Sequence, residues 1–200
     1  MFTGLIQDLG SVSAIERGTD SAIVTISTSL VSSIGKGDSI AVNGVCLTAT
    51  SVSNDSFSAD VMVQTLKLTS LKSIEQGSAV NLELATTMAT RLGGHMVQGH
   101  VDGVGKVVAT QPSEDWWKFV VEVPETLLRY IVNQGSIAVD GVSLTVGEVD
   151  DEAKHVTLWL IPETLSRTNL SSKKLGDAVN IEVDVIAKYV ERLMNRKGEV

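Results

Sequence analysis

Two hundred residues with 43% hydrophobic and 20% charged side chains fall in the ordinary range of globular chains. A formal charge of −8 gives phosphate backbones and anionic membrane surfaces no general attraction, so nucleic acid and membrane are disfavoured as partners. A single cysteine, Cys46, excludes an intrachain disulfide, and without closely spaced Cys and His no structural zinc site is expected.

Residues 1–8 show neither the basic stretch nor the long apolar core of a signal peptide, and no run has the length of a membrane span. A cytoplasmic location is the default expectation. Residues 1–15 are expected to open with a strand whose turn signals are Gly4 and Gly10, and they match residues 97–105 in the second half. In that match Phe2 and Leu5 correspond to Val97 and His100, an apolar residue in one half standing for an imidazole in the other.

Residues 22–27 alternate with period two and are β-branched, which predicts a half-buried strand, and residues 117–122 repeat it. Short helical turns are expected at 30–34 and 126–132. Residues 39–48 then align without a gap on residues 136–145, differing only in Asn43 for Asp140 and Cys46 for Ser143. Each copy reads as a hairpin, because Asn-Gly and Asp-Gly supply the positive φ that a two-residue turn needs. Cys46 and Ser143 therefore lie just after the turn. Strands over 57–62 and 156–161 follow, then short helices beginning at Gln64 and Glu163, and closing strands over 80–84 and 179–183.

Between the two units, residues 85–94 break the pattern, and Gly93-Gly94-His95 reads as a hinge. After the second unit, Ile186, Tyr189, Val190, Leu193 and Met194 fall on one face of a helix with no counterpart after the first. Such a helix either caps its own unit or packs against other subunits. Short strands at regular spacing with Gly-rich turns and little helix define the fold class: all-β with short helices, two tandem similar six-stranded Greek-key barrels plus a C-terminal α-helix.

Cys46, His100, Ser143, Thr145 and Asp184 are the polar or reactive residues at repeat-defined positions. Singly, each has a structural reading: a turn hydroxyl, a small buried thiol, a solvated strand-end carboxylate. The halves differ, however, at Leu5/His100, Cys46/Ser143 and Ala85/Asp184. Two like folds with unlike polar groups could hold two similar ligands in different chemical settings.

Met1-Phe2-Thr3-Gly4, the Asn-Gly-x-Cys-Leu-Thr and Asp-Gly-x-Ser-Leu-Thr pair, residues 93–103 and Leu160-Ile161-Pro162-Glu163-Thr164-Leu165 resemble the riboflavin synthases of the alpha-chain type. The resemblance spans essentially the whole chain. It implies a cofactor-free transferase of riboflavin biosynthesis that dismutates two molecules of 6,7-dimethyl-8-ribityllumazine into riboflavin and 5-amino-6-(D-ribitylamino)uracil by moving a four-carbon unit. It further implies lumazine-binding barrels at 1–95 and 96–185, an oligomerisation helix and tail at 186–200, a homotrimer with active sites between the N-barrel of one subunit and the C-barrel of the next, and lumazine synthase as a further partner.

Carried over residue by residue, the resemblance implies Ser143 and Asp184 as principal catalytic groups, with His100 and Cys46 lining the same site. His100 and Ser143 would act in proton transfer at the C-barrel lumazine, and Asp184 would orient them or assist addition at C7. Substrate contacts would come from Phe2, Gly4, Leu5 and Ile6; from Cys46, Leu47 and Thr48; from Asp60, Val61, Met62, Val63, Gln64 and Thr65; from Gly99, His100 and Val101; from Gln134; from Ser143, Leu144 and Thr145; and from Leu160, Ile161, Pro162, Glu163, Thr164 and Leu165. The chain departs from the family at Gln64, where a glutamate is usual, at Leu68 and Ser70, and at Gln134, where a lysine is usual. The rival reading is a non-catalytic lumazine or flavin carrier.

Overall fold

The computed structural model describes residues 1–195, so the last five residues of the expected C-terminal tail lie outside it. Six strands close the first barrel: β1 (Asp8–Arg17), β2 (Ser21–Ser27), β3 (Ser39–Val42), β4 (Val45–Val52), β5 (Ser56–Met62) and β6 (Ala79–Leu84). Their order around the wall is β1-β2-β5-β4-β3-β6, with β6 pairing back onto β1. The second barrel repeats it with β7 (Gly103–Pro112), β8 (Trp117–Glu122), β9 (Ser136–Val139), β10 (Val142–Asp150), β11 (His155–Leu160) and β12 (Ala178–Val183), and all pairings are antiparallel. This is the expected tandem Greek-key architecture. Closure leaves neither sheet an open edge.

Among the described residues four α-helices accompany the strands: α1 (Val63–Leu68), α2 (Glu125–Leu128), α3 (Pro162–Arg167) and α4 (Val185–Asn195). The alternation read from the sequence fills the interiors: Ile26, Ile40, Phe57 and Leu82 in one barrel, Phe119, Ile137, Leu158 and Ile181 in the other, are all fully buried. Among the described residues no helix is long and apolar enough to cross a membrane.

Three sequence expectations are corrected. The first strand begins at Asp8, because residues 1–7 leave the barrel to form a strap. Gly10 is not a turn residue. It lies within β1, where a Cβ would stand 2.5 Å from Leu82 Cδ1, so glycine there permits close packing across the barrel. The Gly93-Gly94-His95 stretch is no hinge: a Cβ on Gly94 would lie 2.2 Å from the Thr3 carbonyl oxygen, and His95 is buried.

A pseudo-twofold relation organises the seam between barrels. The Phe2 and Val97 backbones exchange N–H···O bonds of 2.7 and 3.1 Å, which pairs the strap before each barrel with its counterpart. Phe2, Val97, Ala41 and Ala138, with Cys46 against them, form a small apolar cluster between the barrels. Around it the amides are matched in pairs: Asn81 Nδ2 donates to the Asp140 carbonyl at 3.0 Å, and Asn180 Nδ2 to the Asn43 carbonyl at 2.8 Å. In turn Asn43 Oδ1 accepts from Asn81 N and Asp140 Oδ1 from Asn180 N, each at 2.7 Å. Buried polar groups so paired lock one relative orientation, since any other would leave them unsatisfied.

Candidate active site

The hairpins place Cys46 and Ser143 on the outside of their barrels. Along β4 and β10, Val45, Leu47, Val142 and Leu144 point inward and are buried, so the intervening Cys46 and Ser143 point outward and are half-buried. Register makes rungs across each wall. Cys46 faces Ala41, which faces Glu83; Ser143 faces Ala138, which faces Glu182. The next rung carries Thr48 and Ser39 in one barrel, Thr145 and Ser136 in the other.

Each strap crosses to the opposite barrel. The Ser143 amide donates to the Gly4 carbonyl at 2.8 Å, and the Cys46 amide to the Gly99 carbonyl at 2.9 Å. Gly4 and Gly99 both have positive φ, and a Cβ on either would collide with Ser143 or Cys46, so only glycine brings the strap this close. Ile6 then packs on the core of the second barrel and Val101 on that of the first. Each barrel's outer groove is thus walled by a segment from the other repeat.

The groove beside the second barrel holds a cavity of about 240 Å³ lined by Gly4, Leu5, Ile6, Val142, Ser143, Glu163, Thr164, Arg167 and Thr168. Helix α3 supplies its rim, started by Pro162 in the first turn, and Glu163 and Arg167 form an ion pair one turn apart. The equivalent positions on α1 are Gln64 and Leu68, which leaves the first groove without that pair.

At the floor of the second groove, Ser143 Oγ lies 2.7 Å from His95 Nδ1, and the His95 amide donates to the Thr3 carbonyl. Burial lowers the affinity of the His95 imidazole for a proton, while the charge of Asp184 acts in the opposite sense. The ring is therefore neutral at physiological pH. Nδ1 either accepts from the Ser143 hydroxyl or donates to it, according to the tautomer, and Nε2 is buried without a partner among the described residues.

The structure does not bring His100 to Ser143. His100 follows Gly99 on the strap against the first barrel, beside Cys46, and is exposed, its amide held by Glu182 at 3.0 Å. Asp184 closes β12 and caps α4, its Oδ1 accepting from the Ile186 amide at 2.9 Å. It opens onto a different cavity of about 500 Å³ between α4 and the second barrel, lined also by Arg129, Tyr130, Ser136 and Val190. Gln134 stands in the turn before β9, with positive φ and its amide on the Val146 carbonyl.

Of the remaining expected contacts, Leu5, Thr48, Asp60, Met62, Gln64, Thr145, Ile161, Pro162 and Glu163 are exposed, while Val63, Thr65, Val101, Thr164 and Leu165 are half-buried. Leu47, Leu144, Val61 and Leu160 are buried members of the barrel cores, so only their main chain can serve a groove on the outer wall. Phe2 is buried in the seam. His95 reads in the sequence as part of a hinge because the repeat match, taken from residue 97 onward, does not include it. Being unmatched was itself the available signal.

Two like barrels in one chain, each crossed on its outer wall by a strap held against the other repeat, define a pseudo-symmetric tandem-barrel protein. The lumazine binding domain family matches residues 3–85 and again residues 98–184, and the chain belongs to that family. Among curated relatives, the riboflavin synthase of Mycobacterium tuberculosis strain H37Rv is 49% identical over 99% of this chain and 100% of its own length. That of Actinobacillus pleuropneumoniae is 45% identical over 98% and 91%. Among solved structures, LumP complexed with 6,7-dimethyl-8-(1'-D-ribityl) lumazine superposes with a TM-score of 0.83 at 28% identity, covering 92% of this chain and 99% of that one.

Proposed function

We propose that this chain is a riboflavin synthase, a transferase that converts two 6,7-dimethyl-8-ribityllumazine molecules into riboflavin and 5-amino-6-(D-ribitylamino)uracil. Full-length identity to riboflavin synthases supports the activity, and the observation that carries the mechanism is the Ser143–His95 pair in the second groove. The methyl group at C7 of a lumazine must lose a proton to an acceptor near neutrality. A neutral imidazole hydrogen-bonded to a hydroxyl is such an acceptor, and positioned acid–base groups contribute about 10²–10⁴-fold.

His95 acts with Ser143 in the place expected of His100, and Asp184 biases the imidazole through its charge. Cys46 and His100 serve the lumazine in the first groove. Thr48 and Thr65 there, and Thr145, Thr164 and Gln134 at the second, bind ring edges or ribityl hydroxyls. Barrels at 1–95 and 96–185 each take one ligand.

A cavity of about 240 Å³ is small for enclosing a whole ligand, where roughly 300–1,000 Å³ is usual, so a bound ring keeps one face open. That supports stacking against a second lumazine held by another subunit, whose effective molarity contributes up to about 7–11 kcal/mol. Ile186, Tyr189, Leu193 and Met194 expose an apolar face on α4. This face suits a homotrimer joined through residues 186–200. A cytoplasmic enzyme working beside lumazine synthase completes the reading.

The structural likeness to LumP favours one alternative, a lumazine carrier without activity. Incubating the purified chain with the lumazine alone separates the two: riboflavin at half the molar amount of lumazine consumed is expected, whereas binding without riboflavin identifies a carrier. Ser143→Ala should lower turnover about 10²–10⁴-fold and leave binding in place.

A further inference from the structure

Two buried carboxylates outside the reacting groups hold the walls of the grooves. Glu83 on β6 and Glu182 on β12 are 2% and 3% exposed. Glu83 Oε1 accepts from the Thr3 amide and the Thr3 hydroxyl, both at 2.6 Å, and Oε2 from the Gly4 amide at 2.9 Å. Glu182 Oε1 accepts from the Gln98 amide at 2.6 Å, and Oε2 from the Gly99 and His100 amides at 2.9 and 3.0 Å. Both carboxylates are satisfied by donors of a strap that has no place in either closed sheet.

We infer that Glu83 and Glu182 are positioning residues acting crosswise: Glu83 of the first barrel fixes the wall of the second groove, and Glu182 of the second barrel fixes the wall of the first. Gly4, pinned by Glu83, offers its carbonyl to the Ser143 amide, and the chain beyond it supplies Leu5 and Ile6 to the second cavity. Gly99, pinned by Glu182, offers its carbonyl to the Cys46 amide and leads into His100 and Val101. Neither carboxylate touches the groove that it shapes. Charge-assisted bonds to three donors make a strong and directional anchor for a segment that lies outside both sheets.

The second strap has a further hold. Asp102 Oδ2 accepts from the Val183 amide at 3.0 Å and Oδ1 from Lys188 Nζ at 2.6 Å. The equivalent residue of the first strap is Gln7, whose Oε1 accepts from the Leu84 amide at 2.8 Å with no lysine beside it. The wall of the first groove is therefore tied to α4, and that of the second is not.

The sole cysteine makes the crossing testable. Cys46 sits beneath Gly99, so its alkylation by iodoacetamide in the intact, unliganded protein reports how firmly the second strap covers the first groove. Glu182→Gln keeps the shape of the side chain but replaces one acceptor oxygen by a donor, and is expected to raise the alkylation rate about tenfold. Glu83→Gln should leave that rate within about twofold of the parent while raising KM for the lumazine without an equal fall in kcat. Asp102→Asn, milder because Asp102 makes two bonds where Glu182 makes three, should raise Cys46 alkylation by a smaller factor and serves where Glu182→Gln does not fold.

Equal acceleration by Glu83→Gln and Glu182→Gln would reduce both to general stabilisers and overturn the proposal. So would unchanged alkylation in Glu182→Gln, or in Asp102→Asn if that variant stands in for it. The inference rests on the reading of one ligand per barrel only for the KM effect. Alkylation needs no ligand, so its outcome is separate from the fate of that reading.

Discussion

Gly44 and Gly141 stand back to back where the two barrels meet: a Cβ built on either would lie 2.7 Å from the amide nitrogen of the other. The turn that closes each hairpin is thus also a point of close approach between the repeats. Glycine is required twice over, by φ values of +75° and +79° and by the absence of room. This accounts for the near identity of the two hairpin motifs. Their shared residues build the seam, and their one reactive difference, Cys46 against Ser143, falls on the outer face beyond it.

Replacing Gly44 or Gly141 by alanine should destabilise the protein by about 1–3 kcal/mol or more, because backbone strain and a backbone clash add. Urea unfolding would measure it. The double variant should cost less than the sum of the singles, since one displacement of the turns relieves both contacts.

Asp140 is fully buried and its Oδ2 meets Lys173 Nζ at 2.6 Å, a pair with no counterpart at Asn43. Lys173→Met should destabilise by about 3–5 kcal/mol by leaving a buried carboxylate uncompensated, and adding Asp140→Asn should recover much of that loss. Chemical denaturation of the two variants tests this directly.

The His95 imidazole titrates below its ordinary value of 6.5 because of burial. Between that value and its lowered value the unfolded chain binds more protons, so this group's stabilising share is present above 6.5 and falls away as pH drops through the window. Burial raises Glu83 and Glu182 instead, and their share weakens as pH rises from the ordinary value of 4.5. Comparing thermal unfolding of parent and His95→Gln across this range isolates the first effect: the fall toward acid should be shallower in the variant. The activity of the parent should decline over the same acid limb as His95 becomes protonated.

Removing residues 186–200 should leave two folded barrels but lower the oligomeric mass in sedimentation, with riboflavin formation falling alongside it. Loss of mass without loss of activity would place the reaction within one chain.

The barrels were legible in the sequence because their signals are local. Period-two alternation, Asn-Gly and Asp-Gly turns and the repeat itself each report on a few neighbouring residues. The straps were not legible, because a segment lying between two barrels has neither the period of a strand nor that of a helix. Gly4 and Gly10 look alike in sequence, yet one turns the strap onto Ser143 and the other makes room for Leu82 within β1. The resemblance named Cys46, Ser143 and Glu163, which lie on the outer walls and the rim, and grouped His100 with Ser143. That grouping ignores the crossing of the straps, which sends His100 to the first groove and leaves His95, a residue outside the repeat, to meet the serine.

The most direct test of the account is to supply the purified chain with 6,7-dimethyl-8-ribityllumazine carrying ¹³C at C6, C7 and both methyl groups, and to examine the products by mass spectrometry. Two lumazines that meet as donor and acceptor of a four-carbon unit must give riboflavin with all eight carbons of its dimethylbenzene ring labelled, together with an equal amount of unlabelled 5-amino-6-(D-ribitylamino)uracil. Recovery of labelled lumazine alone, bound and unchanged, would contradict the account.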